Sequence, residues 1–447
     1  MSVEISRRGG ERIRAGHVWV YRSDVMQTKE IPPGALVTVH EVGGRGARPT
    51  RALGTAVYSS ASEITLRMIS SKPVEDIHQL VRERIRAAIG YRERFIRDSN
   101  AYRVIFSEGD FLPGLIVDRY NDVLTFQVLT QAMDAPAMRE VFLDEMKLAL
   151  QPRAIVERVD ARVRKLEQLE ERESRVVWHD SALGDGHVGA GAPTRPAALP
   201  TEIGEQSSPG PFDSAQGRIV RAPVPTQDEM IQATQPLTTE FHMNGVRFLF
   251  DALGGQKTGA FLDQRENYAA AGQYARGQAL DVFCYQGGFA LHLAKTCDKV
   301  TGVDSSRPAL EIADRNAVRN GRETEWIEAN AFDLLRDYSD LGRNFDCIVL
   351  DPPAFAKTKR DLSTALRGYK ELNLRALKML RPGGVLVTCS CSYHVSAADL
   401  LETVQAAALD SHRILRLLEN RGAAKDHPSL LGVPETAYLK CLILAVS

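Results

Sequence analysis

Residues 280–293, LDVFCYQGGFALHL, constrain the fold of this chain more than any other stretch. Positions 280–284 form a short apolar run of strand type, a glycine pair breaks it, and 289–294 resume with helical spacing. Strand, glycine turn and helix in that order make the first crossover of a doubly wound sheet, whose ligands bind beyond the carboxyl ends of the strands. The turn formed by Tyr285, Gln286, Gly287 and Gly288 therefore faces the site, and its glycines admit a ligand close to the backbone. A second strand over 299–303 ends in Asp304, with Ser305 next, and an acidic side chain there can accept both ribose hydroxyls of a nucleoside cofactor.

Two cofactor classes use this layout. A dinucleotide requires Gly-x-Gly-x-x-Gly to seat its pyrophosphate on a helix N-terminus, whereas the turn here is QGGFAL, with no third glycine. S-adenosylmethionine carries no phosphate and needs no such fingerprint. The alternative for the turn alone is simple packing, so residues further along must decide.

The surrounding chain, 447 residues with 44% hydrophobic content, is long enough for two to four domains with sizeable cores. A formal charge of −1 argues against wholesale attraction to nucleic acid and says nothing of a local patch. The charged N-terminus lacks a signal core, no run reaches the ~18 apolar residues of a membrane span, and the six cysteines lack CxxC spacing. A cytoplasmic protein without disulfides or a zinc site is expected.

Residues 1–72 read as a small β domain with strands over 18–21, 36–40, 52–58 and 64–69. Its first segment carries Arg7, Arg8, Arg12, Arg14 and Arg22 interleaved with His17, Trp19 and Tyr21, a composition suited to phosphate contact and base stacking, or equally to a solvated edge around a core tryptophan. A helix over 74–97 connects domains, and 73–250 read as a central α+β domain. The acids Glu108 and Asp110 fall in a turn cluster over 107–114 and read as turn residues rather than catalytic ones. Residues 181–227 hold seven glycines, seven prolines and one aromatic, too little apolar surface to offset the entropy of ordering, and are expected to be a disordered insertion. An Asn244-Gly245 hairpin follows. From 251 onward strands and helices alternate as in a largely parallel α/β sheet.

The fourth strand of that sheet runs into DPPAFAK. Asp351 reaches the carboxyl edge, and Pro352 and Pro353 end the ladder because they lack an N–H. An acid followed by two prolines and Phe355 suits a flat heterocycle, the carboxyl bonding a base edge while the rings bound its face; it also suits a plain loop terminator. The fifth strand, GGVLVTCSCSYH, carries Cys389 and Cys391, with Cys391 nearer the edge. A helix beginning after Ser396, with Asp399 three residues on, places a positive end near that thiol. The bland alternative is that small cysteines pack well in strands.

With GQKTGAFLDQREN, LDVFCYQGGF, VDSS, DPPAFAK, RGYKELN and SCS on the chain, the sequence resembles the S-adenosylmethionine-dependent large-subunit ribosomal RNA cytosine-5 methyltransferase I family. The resemblance covers nearly the whole chain apart from 181–227. It implies a Rossmann-like class I methyltransferase domain over 251–447, preceded by a PUA-like RNA-binding domain and the central α+β domain. It also implies S-adenosylmethionine as cofactor, RNA as partner, no metal and no membrane, and is compatible with a homodimer. By resemblance, Tyr285, Gln286, Gly287 and Gly288 hold the methionine side, Asp304 and Ser305 the ribose, and Asn330, Ala331 and Phe332 the adenine neighbourhood, while Gln264 and Arg265 line the site. Asn330 stands where the family pattern has an acid. Cys391 follows Gly384 by seven positions, the register of the catalytic cysteine in wider cytosine-5 RNA methyltransferases, which makes Cys391 the expected nucleophile and Asp351 the expected partner of the base edge. DPPAFAK lacks the second cysteine that assists release in those wider families. The rival readings are guanine N-methylation, which needs no thiol, and a non-catalytic RNA-binding assembly factor that keeps the fold.

Overall fold

The structure, a computed structural model, describes residues 1–27, 30–42, 52–180, 218–219, 237–254, 260–356 and 358–447. Most of the expected insertion, 181–227, lies outside these residues, as do 255–259 of the GQKTG motif.

The C-terminal unit is built on an eight-stranded sheet. In chain order its seven principal strands are Gln278–Val282, Lys299–Asp304, Glu325–Glu328, Phe345–Leu350, Leu380–Ser390, Leu415–Arg421 and Lys440–Val446. Across the sheet they lie third, second, first, fourth, fifth, seventh, sixth. The seventh strand runs antiparallel between the fifth and sixth. Outside the third strand, Arg218–Ile219 pair antiparallel with Glu328 and Ile327. The insertion expected to be disordered thus supplies a two-residue edge strand.

The first strand pairs in parallel with both the second and the fourth, so the chain reverses its winding between them and leaves a crevice at their carboxyl ends. Side-chain alternation along these strands fills two cores. Cys347 and Val349 point to one, with Leu310, Ala313 and Ala317 of helix Arg307–Arg319; Ile348 and Leu350 point to the other, with Leu334 and Leu335 of Ala331–Asp340 and Leu372 and Ala376 of Leu362–Met379. The sequence reading lacks the sixth strand, LRLLENR, and helix Ala331–Asp340.

The central unit is a five-stranded sheet covered by helices Ile77–Phe95 and Pro136–Leu150. Helix Ile77–Phe95 starts where Asp76 accepts from the Gln79 N–H at 3.0 Å. Its first turn also packs on Val57 and Ile69 of the N-terminal sheet, which makes it a joint between units. Hairpin Thr238–Met243/Val246–Asp251 turns through Asn244 and Gly245, both at positive φ. Its apolar face stacks Phe250 on Tyr120, with ring centroids 3.8 Å apart, and continues into the core of the C-terminal sheet.

The N-terminal sheet has six strands, two of which, Ser2–Ile5 and Val25–Gln27, the sequence reading lacks. The arginine-rich segment is partly a helix, Arg7–Arg14, capped by Ser6. Arg12 pairs with Asp24 and Arg14 with Glu41, while Arg7 and Arg8 are exposed. Two of the aromatic groups, for which base stacking and a solvated edge are equal readings of the sequence, join the units. The Trp19 indole donates to Glu108 at 3.0 Å, and His17 lies 3.2 Å from Glu435. Beside them the buried Arg67–Glu167 ion pair, at 2.9 Å, crosses the same interface.

Candidate active site

The carboxyl edge of the sheet is assembled strand by strand. After the first strand the backbone turns left-handed at Phe283 (φ +67°), Tyr285 (φ +48°) and Gly287 (φ +86°). Such conformations are costly for residues with a Cβ and persist only where surroundings fix them. Here the Phe283 and Cys284 N–H groups both donate to the Val303 carbonyl, and the Tyr285 N–H donates to Asp304 Oδ2 at 2.9 Å. A Cβ at Gly287 would lie 2.9 Å from the buried Trp326 ring, so glycine is required there for space as well as for φ.

Asp304 ends the second strand. Its Oδ1 accepts from the Ser306 N–H at 2.8 Å, so each carboxylate oxygen is anchored by one backbone donor and keeps lone pairs for another. Ser305 beside it is exposed. At the end of the third strand Asn330 caps helix Ala331–Asp340, its Oδ1 accepting from the Phe332 and Asp333 N–H groups. An acid would cap this helix equally well, so the role is met by either side chain. Ala331 is buried and Phe332 exposed. Phe332, Phe355 and Tyr369 form a chain of rings with centroids 5.9 and 4.9 Å apart.

The fourth strand delivers Asp351. Its Oδ2 accepts from Gln264 Nε2 at 2.9 Å, and Gln264 in turn is held by Asn267. Burial, and then the charge of Asp263, push the Asp351 carboxyl up to about 7, with the Gln264 donation acting the other way. Pro352 is buried and Pro353 exposed. The Cys391 Sγ donates to the Pro352 carbonyl at 3.9 Å, which brings thiol and carboxyl together across adjacent strands. Ser392, the next residue, accepts from the Phe355 and Ala356 N–H groups and shares a hydrogen bond with Tyr369 Oη, so the two loops are locked to one another. Cys389 is fully buried opposite Cys441, and burial pushes its thiol well up. The two thiols therefore sit in different surroundings.

The sequence-predicted residues of all five strand ends thus converge on one edge, with one difference. Gln264 is buried and reaches that edge through Asp351. Arg265 does not follow it. Its guanidinium lies 3.2 Å from Asp426, in a junction where Arg92 donates to the Asp426 carbonyl and the Arg103 N–H to its carboxylate. Burial works against the charge of Asp426, but His427, Arg265 and the Arg103 N–H outweigh it and hold the carboxyl at about 2.

Three residues at the edge carry chemistry the sequence reading overlooked. Asp281, inside the first strand, accepts from the Ala290 N–H at 2.7 Å, while its Oδ1 has no hydrogen-bond partner among the described residues. Burial, with Asp351 and Asp304 adding to it, pushes its carboxyl up to about 8. Tyr369 Oη bonds both Ser390 and Ser392 at 2.9 Å. Lys440, buried, donates to the carbonyls of Ser392 and Tyr438. An acid inside a strand and the first residue of a late strand give no local signal of such roles.

Asp281, whose proton affinity is raised by burial and by the charges of Asp351 and Asp304 and whose Oδ1 has no hydrogen-bond partner among the described residues, fits a cationic cofactor such as a sulfonium. Residues 215–444 match the family of S-adenosylmethionine-dependent methyltransferases, and residues 3–71 match PUA-like domains. The chain is 34% identical to a ribosomal RNA large subunit methyltransferase I of Shewanella denitrificans, with all of both chains covered. It is 33% identical to that of Tolumonas auensis, over 96% of this chain and 95% of the relative. The chain belongs to this methyltransferase I family. SMU.776, solved in complex with SAH, superposes at a TM-score of 0.74 over the whole of both chains at 15% identity, as does a SAM-dependent methyltransferase from Streptococcus mutans at 0.73; these likenesses concern the fold. As a member of the methyltransferase I family the chain is S-adenosylmethionine-dependent, and its N-terminal sheet is the PUA-like domain. Among the described residues no group of three or more His, Cys, Asp or Glu is placed to hold a metal ion, and no helix is long and apolar enough to cross a membrane.

Proposed function

We propose that this methyltransferase forms 5-methylcytosine in large-subunit ribosomal RNA, with Cys391 as nucleophile and Asp351 holding the base. The observation that carries the reading is the Cys391 thiol 3.9 Å from the Pro352 carbonyl, one residue from Asp351. The rRNA substrate follows the relatives' names. In this reading 1–72 hold RNA, 73–250 join the units, and 251–447 carry out the transfer.

Aromatic C5 is a poor nucleophile until C6 is saturated. The Cys391 thiolate adds to C6, the C5–C6 π pair moves toward C5, and the ring becomes an enamine. Asp351, with its carboxyl near half-protonation at neutral pH, donates to N3 and accepts from the N4 amino group; that pairing strengthens as N3 gains basicity in the adduct. When bound, S-adenosylmethionine supplies the electrophilic methyl group for C5. The N3 proton returns to Asp351, a base takes the C5 proton, and expulsion of the Cys391 thiolate restores the aromatic ring. Asp304 accepts the donor's ribose hydroxyls, Tyr285, Gln286, Gly287 and Gly288 bound its methionine part, and Asn330, Ala331 and Phe332 its adenine. Pro352, Pro353 and Phe355 wall the target base. A guanine N-methyltransferase would have no use for a thiol at this edge.

Substrate RNA containing 5-fluorocytosine tests the reading, because C5 then has no proton to lose. Wild type and Cys389→Ala are expected to trap a covalent complex and Cys391→Ala to trap none, with turnover abolished in Cys391→Ala alone. Near-normal turnover by Cys391→Ala would sink the covalent mechanism.

A further inference from the structure

Lys440 stands first in the seventh strand, paired opposite Ser390. It is 6% exposed, and its Nζ donates to the Ser392 and Tyr438 carbonyls at 2.7 Å each. Two of its three N–H donors are thereby spent on backbone, one of them on the residue that directly follows Cys391. Burying an ammonium costs several kcal/mol unless opposite charge or dipoles compensate. The groups that face it are those two carbonyls, Asp399 of helix Ala397–Asp410, and Cys391. Asp399 is itself engaged by the Ser396 N–H and hydroxyl.

We propose that Lys440 is the positioning residue for Cys391: its buried ammonium fixes the chain immediately after the thiol and supplies the positive charge against which that thiol ionises. The proposal rests on Cys391 as nucleophile only for its catalytic meaning, not for the electrostatic coupling itself. An unassisted thiol near pKa ~8.5 is only a few per cent thiolate at neutral pH, and a neighbouring cation raises that fraction up to tenfold per unit. The proton leaves Cys391 for water while Lys440 keeps its own. Burial pulls Lys440 down to about 8, with Cys391 and Asp399 opposing, so the charge is still largely present at pH 7 and is lost above pH 8.

The test follows alkylation of Cys391 by iodoacetamide against pH in the full-length protein, read on the Cys391 peptide by mass spectrometry. Lys440→Met is expected to slow alkylation at pH 7 about tenfold by moving the midpoint upward. Lys440→Gln, which keeps an amide donor for Ser392 without the charge, is expected to do the same, and Lys440→Arg to stay near wild type. Thermal melting and donor binding verify that each variant is folded; should Lys440→Met not fold, Lys440→Gln carries the test. A Lys440→Gln profile superimposable on wild type overturns the proposal. So does an equal shift in Lys440→Arg and Lys440→Gln, which would leave shape rather than charge as the cause. Because alkylation uses neither RNA nor methyl transfer, a shifted profile together with an active Cys391→Ala enzyme would uphold the coupling while sinking the nucleophile assignment.

Discussion

Replacing Gln264 with leucine should move the alkaline limb of the methylation pH profile upward. The Gln264 amide donates to Asp351 at 2.9 Å and so favours the ionised carboxyl. A hydrogen bond to a charged group is worth ~1.5–3 kcal/mol, and each pKa unit corresponds to ~1.4 kcal/mol. Leucine should therefore raise Asp351 from about 7 by roughly one to two units. In the proposed reaction the protonated carboxyl donates to N3, so activity falls as pH rises through the Asp351 pKa, and a higher pKa extends activity into alkali. The acid limb belongs to Cys391, which must lose its proton, and should stay in place. Asn267 keeps its bond to the Gly422 carbonyl and loses its acceptor on Gln264, so the substitution also costs some stability there. Single-turnover methylation of substrate RNA from pH 5.5 to about pH 9.5 measures both limbs. An alkaline limb that stays fixed, or moves to lower pH, would show that rate does not depend on a protonated Asp351.

Asp304→Ala should weaken S-adenosylmethionine binding at least tenfold, since charged hydrogen bonds of ~1.5–3 kcal/mol to ribose are lost; unchanged affinity by calorimetry would remove Asp304 from the donor site. Asp426 is depressed from 3.8 to about 2, so its contribution is fully present above about pH 4 and is lost as pH falls through 2. The difference is about 2 kcal/mol, and Asp426→Asn should flatten this acid limb of stability in denaturant melts, whereas an unchanged limb would assign acid lability elsewhere.

The sheet and its edge were legible because parallel strands buried on both faces read as apolar runs, and because the glycine turn and the proline pair mark strand ends. The position of Cys391 beside Pro352 was legible in the same way, since it directly follows the fifth strand. The sixth strand was not: LRLLENR carries Arg416, Glu419, Asn420 and Arg421, and lies at the sheet margin where polar side chains meet water. Arg7–Arg14 was hidden by Gly9 and Gly10, poor helix formers that this helix accepts because both are buried, Gly9 against Asp24 and Gly10 against Glu41. Arg265 parts from Gln264 for a geometric reason: it opens helix Arg265–Tyr274, where neighbouring side chains diverge by about 100°, and its guanidinium turns to Asp426 while Gln264 turns to Asp351. Lys440 reads in sequence as a solvated residue, and only its register opposite Ser390 turns it inward.

The junction around Asp426 bears on how the molecule comes to exist. Arg92 is buried, and one of its guanidinium bonds ends on a carbonyl 334 positions later in the chain. The Arg103 N–H also waits for the Asp426 carboxylate. A ribosome releases the N-terminal part first, so the central sheet emerges with Asp110 able to pair with Arg92 but with one Arg92 donor and the Arg103 N–H still without their Asp426 acceptors. Its final packing is therefore deferred until residue 426 has left the exit tunnel. Nascent chains stalled before residue 426 should be cut by protease within the central unit, and chains released at full length should resist. The segment beyond the sixth strand thus acts as a latch on the middle of the protein.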